Sequence, residues 1–214
     1  MKADLGSNTE ERLLVAFKEG SRTSFDQIYD QLYPSLYNYG YRLCQNDELV
    51  KDCIQNVFIE IWQKRDRLEK IQALKFYLFK ILRRKIFADL DQLVKAEKRL
   101  QLASLSRDDF FLHFRVGELE TEHQIPEEHI RKLAKAIGNL TTRQKEAVML
   151  KFYENLTYAE ISEVMELKDA KYARQLVYRA LDELRDSLAI EQGISHYGML
   201  FYQLMSLELL NAVS

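Results

Sequence analysis

Glycine and proline are scarce in this chain, 7 and 2 among 214 residues, so it has no glycine-rich phosphate loop and little of the punctuation that short strands need. With Leu, Ile, Ala, Glu and Lys spread throughout, that composition predicts an all-α fold. Cysteine occurs twice, as Cys44 and Cys53. The two are nine residues apart, form no C-x-x-C pair and have no histidine at ligand spacing, which predicts reduced core thiols in a cytosolic protein. The four histidines, at 113, 123, 129 and 196, have no partners at catalytic or metal-binding intervals, and there is no H-E-x-x-H. Neither catalysis nor a metal or other cofactor is therefore expected. Residues Met1 to Glu11 are polar and lack the apolar core of a secretory signal, so the expected location is the cytoplasm. A hydrophobic share of 47% over this length is enough to fill two small cores.

The chain's strongest pattern lies between Leu140 and Leu188. Thr141 with Gln144, and Thr157 with Glu160, are capping boxes, in which each side chain satisfies a first-turn backbone N–H. Ile161, Val164 and Met165 form an apolar face, and the polar break Glu166 to Asp169 ends that helix, leaving Asp169 to cap the next. This is helix-turn-helix spacing. In the last helix Ala173, Leu176, Val177, Ala180, Leu181, Leu184 and Leu188 recur at three- and four-residue steps, one buried stripe. Lys171, Arg174, Gln175, Tyr178 and Arg185 stand opposite. A solvated surface helix would also show a charged strip. Arg, Gln and Lys, however, carry donors that reach phosphates and major-groove base edges, which favours a DNA reader. Asp182 assigns the contacts to the helix's N-terminal half.

The net charge of −2 conceals strong segregation. Residues 64–85 hold nine Lys and Arg against Asp66 and Glu69, whereas residues 104–130 hold seven acids against Arg107 and Arg115. It is the local field that steers a polyanion. The acidic stretch, with Pro126 near its end, reads as a linker between two helical domains, although its insert Phe110, Phe111, Leu112 and Phe114 is unusual for a spacer.

Before the linker, Ser24 with Gln27 is expected to cap a tyrosine-rich helix over Phe25 to Leu43, broken at Pro34. In the helix Glu48 to Gln63, Val50, Ile54, Val57 and Ile61 form the core stripe. Asp52, Gln55, Asn56, Ile59 and Gln63 lie on the far side, and an apolar anchor among polar groups suits protein docking. A basic loop follows, then a helix with Phe79, Leu82, Ile86 and Leu90 buried and Lys80, Arg83 and Arg84 on an adjacent strip beside Phe87. Cations interleaved with rings suit unstacked nucleic-acid bases.

In order along the chain, Asp52 to Gln55, Phe58 to Trp62, Tyr77 to Arg84 and the helix-turn-helix ending at Tyr178, Arg179 and Ala180 resemble an extracytoplasmic-function sigma factor. These are the two-domain members of the sigma-70 class of bacterial initiation factors. The resemblance spans roughly Leu14 to Leu188. It implies a polymerase-docking and minus-ten-binding domain over 9–100, a linker over 101–130, a helix-turn-helix domain for the minus-thirty-five element over 131–190, and an apolar extension over 191–214. On this resemblance Asp52, Gln55, Asn56 and Ile59 would grip the clamp helices of core RNA polymerase, whose flap is a further contact. Arg65, Arg67, Lys70, Lys75, Lys80, Arg83 and Arg84 would hold minus-ten DNA. Lys171, Tyr172, Arg174, Gln175, Tyr178 and Arg179 would meet the minus-thirty-five element. Promoter DNA and an anti-sigma factor complete the implied partners.

Residues 193–214 carry a single charge, Glu208, and are too short and too polar for a comfortable membrane span. They read as an extra helix packed on a domain, as a lid, or as a contact for a partner or second copy. Two rival functions remain at this level: a regulator that binds a duplex operator alone, and an interaction protein for which DNA is secondary.

Overall fold

The computed structural model describes residues 12–67, 71–100, 132 and 135–189, with side chains except at 71–73, 94–100 and 187–189. Every element among the described residues is helical, and the chain forms two compact units, Met1–Arg107 and Asp108–Ser214. The stretches 101–130 and 191–214, expected as linker and extra helix, lie outside the described residues, as does Lys70.

In the first unit, residues 12–18 are helical and lead into α1 (Arg22–Cys44), α2 (Asp47–Gln63), a 3₁₀ turn (Arg65–Arg67) and α3 (Ile71–Leu100). The cap of α1 differs from expectation. Ser21 has the extended backbone and accepts the Ser24 N–H at 3.3 Å, while Ser24 is buried in the first turn and its hydroxyl donates to Ser21 Oγ at 3.1 Å. The helix thus opens one turn before the predicted Ser24 box.

Nor does Pro34 break α1, which runs through it. An interior proline removes one backbone hydrogen bond, at roughly 3 kcal/mol. Ile28 before it, and Leu36 and Tyr39 after it, are all buried to 2% exposure or less. Each such side chain contributes about 1.5–3 kcal/mol on burial, enough to hold both halves in one helix.

Asn46 caps α2 by accepting the Leu49 N–H at 3.1 Å. Its core face is wider than the predicted stripe, because Cys53 and Phe58 are buried beside Val50, Ile54, Val57 and Ile61. Helices α1, α2 and α3 pack against one another, with Phe17, Tyr39, Leu78, Phe79, Leu82 and Ile86 fully enclosed. The three helices meet tightly at Gly40, where a Cβ would stand 2.9 Å from Val50 Cγ1 and 3.2 Å from Ile86 Cδ1.

In the second unit, helical residues 135–139 precede α4 (Thr142–Phe152), α5 (Tyr158–Val164) and α6 (Ala170–Ala189). Both threonine capping boxes are formed. Glu166 takes a left-handed backbone (φ 52°) and the Leu167 N–H donates to Ser162 O at 2.8 Å, which turns the chain sharply after α5. Asp169 Oδ1 then accepts the Tyr172 N–H at 2.7 Å and starts α6. Helix α6 packs on both α4 and α5 through the buried Ala173, Val177, Ala180 and Leu184. Gln144 Nε2 also donates to Glu183 Oε1 at 2.7 Å, tying α4 to α6.

Candidate nucleic-acid interface

Packing of α6 by one stripe fixes which residues it offers to solvent. Lys171, Tyr172, Arg174, Gln175, Tyr178 and Arg179 are all exposed and occupy the first half of the helix. Arg174 lies along Tyr178, with its guanidinium carbon 5.1 Å from the ring centre and Nη2 donating to the hydroxyl at 3.5 Å. Stacking of this kind restricts a flexible cation while occupying one of its five N–H donors. Arg185, on the same strip, is instead engaged by Asp182 at 3.0 Å and Asp186 at 3.1 Å. The available positive charge is therefore at the N-terminal end, where a helix entering the major groove reads bases.

In the first unit, the outward face of α2 carries Asp52, Gln55, Asn56 and Ile59, all exposed, opposite Val50, Ile54 and Val57. Ile59 is 48% exposed, an apolar side chain held in water by its position on the helix.

The basic segment divides into parts with different work. Arg65 is folded back: its guanidinium sits 4.9 Å from the Trp62 ring centre and Nη1 donates to Trp62 O at 2.9 Å. That pins the 3₁₀ turn to the end of α2, so Arg65 has a packing role. Arg67 is exposed beyond it. On α3, Lys80, Arg83, Arg84 and Phe87 share one face at three- and four-residue steps, and Arg83 lies 4.6 Å over the Phe87 ring. Lys75 belongs to a different face, with Nζ 5.9 Å from the Phe79 ring centre. Two further cations are taken up internally: Lys64 at 2.7 Å and Lys85 at 3.2 Å both pair with Glu60, joining α2 to α3. Lys64 first, then Lys85, hold the Glu60 carboxyl below its ordinary value despite partial burial. The charge surplus read from sequence is thus larger than the surplus at the surface.

Buried beneath these faces, the Cys53 thiol donates to Asp89 Oδ2 at 3.3 Å. Burial first, and then that bond to a carboxylate, push its pKa up to about 12. Both cysteines are free and buried, as core thiols should be. Among the described residues there is no cluster of ligands for a metal ion.

One feature escaped sequence reading. Tyr29, Tyr33, Tyr37 and Tyr41 form a stacked ladder along α1, with successive ring centres 5.2, 6.0 and 6.1 Å apart. Its signal is a strict four-residue spacing, which a tally of tyrosines in a helix does not register.

Family models match both units: sigma-70 region 2 over residues 28–95 and sigma-70 region 4 over residues 130–184, together more than half of the chain. The RNA polymerase sigma factor YlaC of Bacillus subtilis (strain 168) is 20% identical over 173 residues, which are 78% of this chain and 93% of that one. Two solved structures share the fold. CnrH, in complex with the cytosolic domain of CnrY, gives a TM-score of 0.53 at 18% identity, covering 86% of this chain and 99% of that one. The sigma factor RpoE from Bartonella quintana, in complex with the anti-sigma factor NepR, gives 0.52 at 21% identity, covering 78% and 98%.

Proposed function

Because the chain belongs to the sigma-70 family, in the two-domain extracytoplasmic-function form, and is an initiation factor for RNA polymerase at promoter DNA, we propose how its exposed and half-buried surface residues divide that work. The Asp52, Gln55, Asn56 and Ile59 face of α2 docks on the clamp helices of core polymerase. The Lys80, Arg83, Arg84 and Phe87 face of α3, with Arg67 and Lys75, holds minus-ten DNA as it opens, cations on phosphates and the ring against a base. Arg65 acts indirectly, by fixing the turn that carries Arg67. The first half of α6 reads the minus-thirty-five element in the major groove, and the flap of the polymerase receives the second domain. No covalent chemistry is performed by the chain, which works in the cytoplasm beside the polymerase. An anti-sigma factor as a further partner is supported by the complex with the anti-sigma factor NepR in which the structurally similar RpoE was solved.

The observation that carries this reading is the segregation on α6: six exposed donor or aromatic residues in its first half, and Arg185 neutralised by two carboxylates in its second. Replacement of Arg174 and Gln175 by Ala tests it. Each lost bidentate base contact should cost about 1–3 kcal/mol of discrimination. Output from promoters that need the minus-thirty-five element should fall at least about tenfold. Unaltered output would remove the assignment of α6.

A further inference from the structure

At the edge of the basic segment, each oxygen of the Glu60 carboxylate carries one ammonium: Oε1 that of Lys64 at 2.7 Å, Oε2 that of Lys85 at 3.2 Å. The two pairs run in different directions. Lys64 stands at the C-terminal cap of α2, where its backbone N–H also donates to Glu60 O at 3.1 Å. Lys85 belongs to α3. One side chain therefore ties the residue at which the basic loop leaves α2 to the helix that carries Lys80, Arg83 and Arg84. The tie is passed along the chain, because the Arg67 N–H donates to Lys64 O at 2.9 Å and closes the 3₁₀ turn.

Glu60 also governs how much of the basic charge can act on DNA. The Lys64 ammonium is held above its ordinary value, by Glu60 foremost, while the like charge of Arg84 opposes that, so Lys64 lies beside the proposed minus-ten face. At 18% exposure the carboxylate is more enclosed than Lys64 at 46% and Lys85 at 30%, so it is the lysines that border solvent. Sequence-independent affinity for nucleic acid follows the number of phosphates that cations neutralise. A lysine bound to a carboxylate must give up that bond before it can serve a phosphate. Promoter-directed binding depends instead on cations and rings that stand in place before the strand arrives. Glu60 acts on both quantities to the same end, since it engages two cations and it fixes the start of the loop.

We infer that Glu60 is a specificity-determining residue of the minus-ten face: by holding Lys64 and Lys85 it restrains sequence-independent DNA binding and keeps the loop placed for the cognate strand. The inference rests on the proposed minus-ten role of α3 and adds to it a residue that acts without touching DNA.

The test is competition binding of holoenzyme, reconstituted from the full chain and core RNA polymerase, to two promoter DNAs that differ only in a matched or a scrambled minus-ten element. Both are measured across a range of salt concentrations. Glu60→Gln keeps the size of the side chain and releases both lysines. It should bind the scrambled DNA several-fold more tightly at low salt, with a log–log salt slope steeper by about 0.9 for each phosphate gained. Preference for the matched element should fall at least about fivefold. Glu60→Gln combined with Lys64→Gln and Lys85→Gln should return the affinity and slope on scrambled DNA to those of the parent, while the preference stays low because the tie to the loop is still missing. A merely structural role would make Glu60→Gln weaken both complexes alike, and that result would overturn the inference. An unchanged slope or an unchanged preference would overturn it too. Lys80→Ala with Arg84→Ala separates this outcome from the underlying reading. If that pair lowers the preference and Glu60→Gln does not, the Glu60 inference falls and the assignment of α3 stands; if the pair leaves the preference intact, both fall.

Discussion

Arg174 and Tyr178, one turn apart on α6, form a stacked pair in which the guanidinium lies 5.1 Å from the ring centre and reaches the hydroxyl at 3.5 Å. An exposed cation–π contact is worth about 0.5–1 kcal/mol. Its larger effect on function is that a long, mobile side chain is held in a narrow range before DNA arrives. Tyr178→Ala should reduce transcription from minus-thirty-five-dependent promoters roughly three- to tenfold, whereas Tyr178→Phe keeps the stacking and should stay within about twofold. Run-off transcription on a matched promoter pair measures both.

Gly40 fixes the distance between helices in the first unit. A methyl group there would lie 2.9 Å from Val50 Cγ1 and 3.2 Å from Ile86 Cδ1, so α1 could not approach both partners as it does. Overpacking of this size costs about 1–3 kcal/mol. Gly40→Ala should lower the melting temperature of the first unit by several degrees in thermal denaturation, against the small gain alanine gives at an open helix site.

Glu60 makes stability depend on pH in a defined direction. Its carboxyl is held below the ordinary value of 4.5, by Lys64 foremost and then Lys85. A depressed carboxylate stabilises the folded state fully above the ordinary value, and that contribution disappears as pH falls below 4.5 through the depressed one. With Lys64 nearly half exposed, solvent screens its pair with Glu60, so the effect on stability is small. Glu60→Gln should therefore unfold at lower urea than the parent at neutral pH, and the two midpoints should converge as pH is taken below the carboxylate range.

Cys53 should be chemically silent in the folded protein. Its thiol is 1% exposed, bonded to Asp89, and pushed up to about 12, so thiolate is negligible at pH 8. Iodoacetamide should leave the native protein unmodified at Cys53 and label it promptly in urea, as peptide mass analysis would show. Labelling under native conditions at the rate of a free thiol would mean that α2 and α3 separate readily.

The parts legible in sequence were those fixed by local chemistry. Thr141 with Gln144, Thr157 with Glu160, and Asp169 ahead of α6 announce helix starts because the cap and its partner lie within one turn. The all-helical composition likewise translated directly into the fold. Pro34 and Ser24 were misread because their outcome is decided elsewhere: Pro34 by the buried Ile28, Leu36 and Tyr39 around it, Ser24 by the extended backbone of Ser21. The work of single cations was also hidden. Nothing near Arg65 in the sequence says that it turns back onto the Trp62 carbonyl, or that Glu60 engages Lys85 on another helix. Charge counted along the chain overstates charge at the surface whenever such pairs form across helices.

The central claim is that the exposed face of α2 brings this chain to core polymerase and that α6 then selects the promoter. Run-off transcription with sigma-free bacterial core polymerase on a promoter pool from the source genome tests it most directly, with the parent chain and Asp52→Ala, Gln55→Ala side by side. Transcripts that require the parent chain and vanish with the double variant, while that variant remains folded by circular dichroism, are the predicted result. Absence of transcripts with the parent, together with tight binding of the free protein to duplex DNA, would contradict the account and mark the chain as a regulator that works without the polymerase.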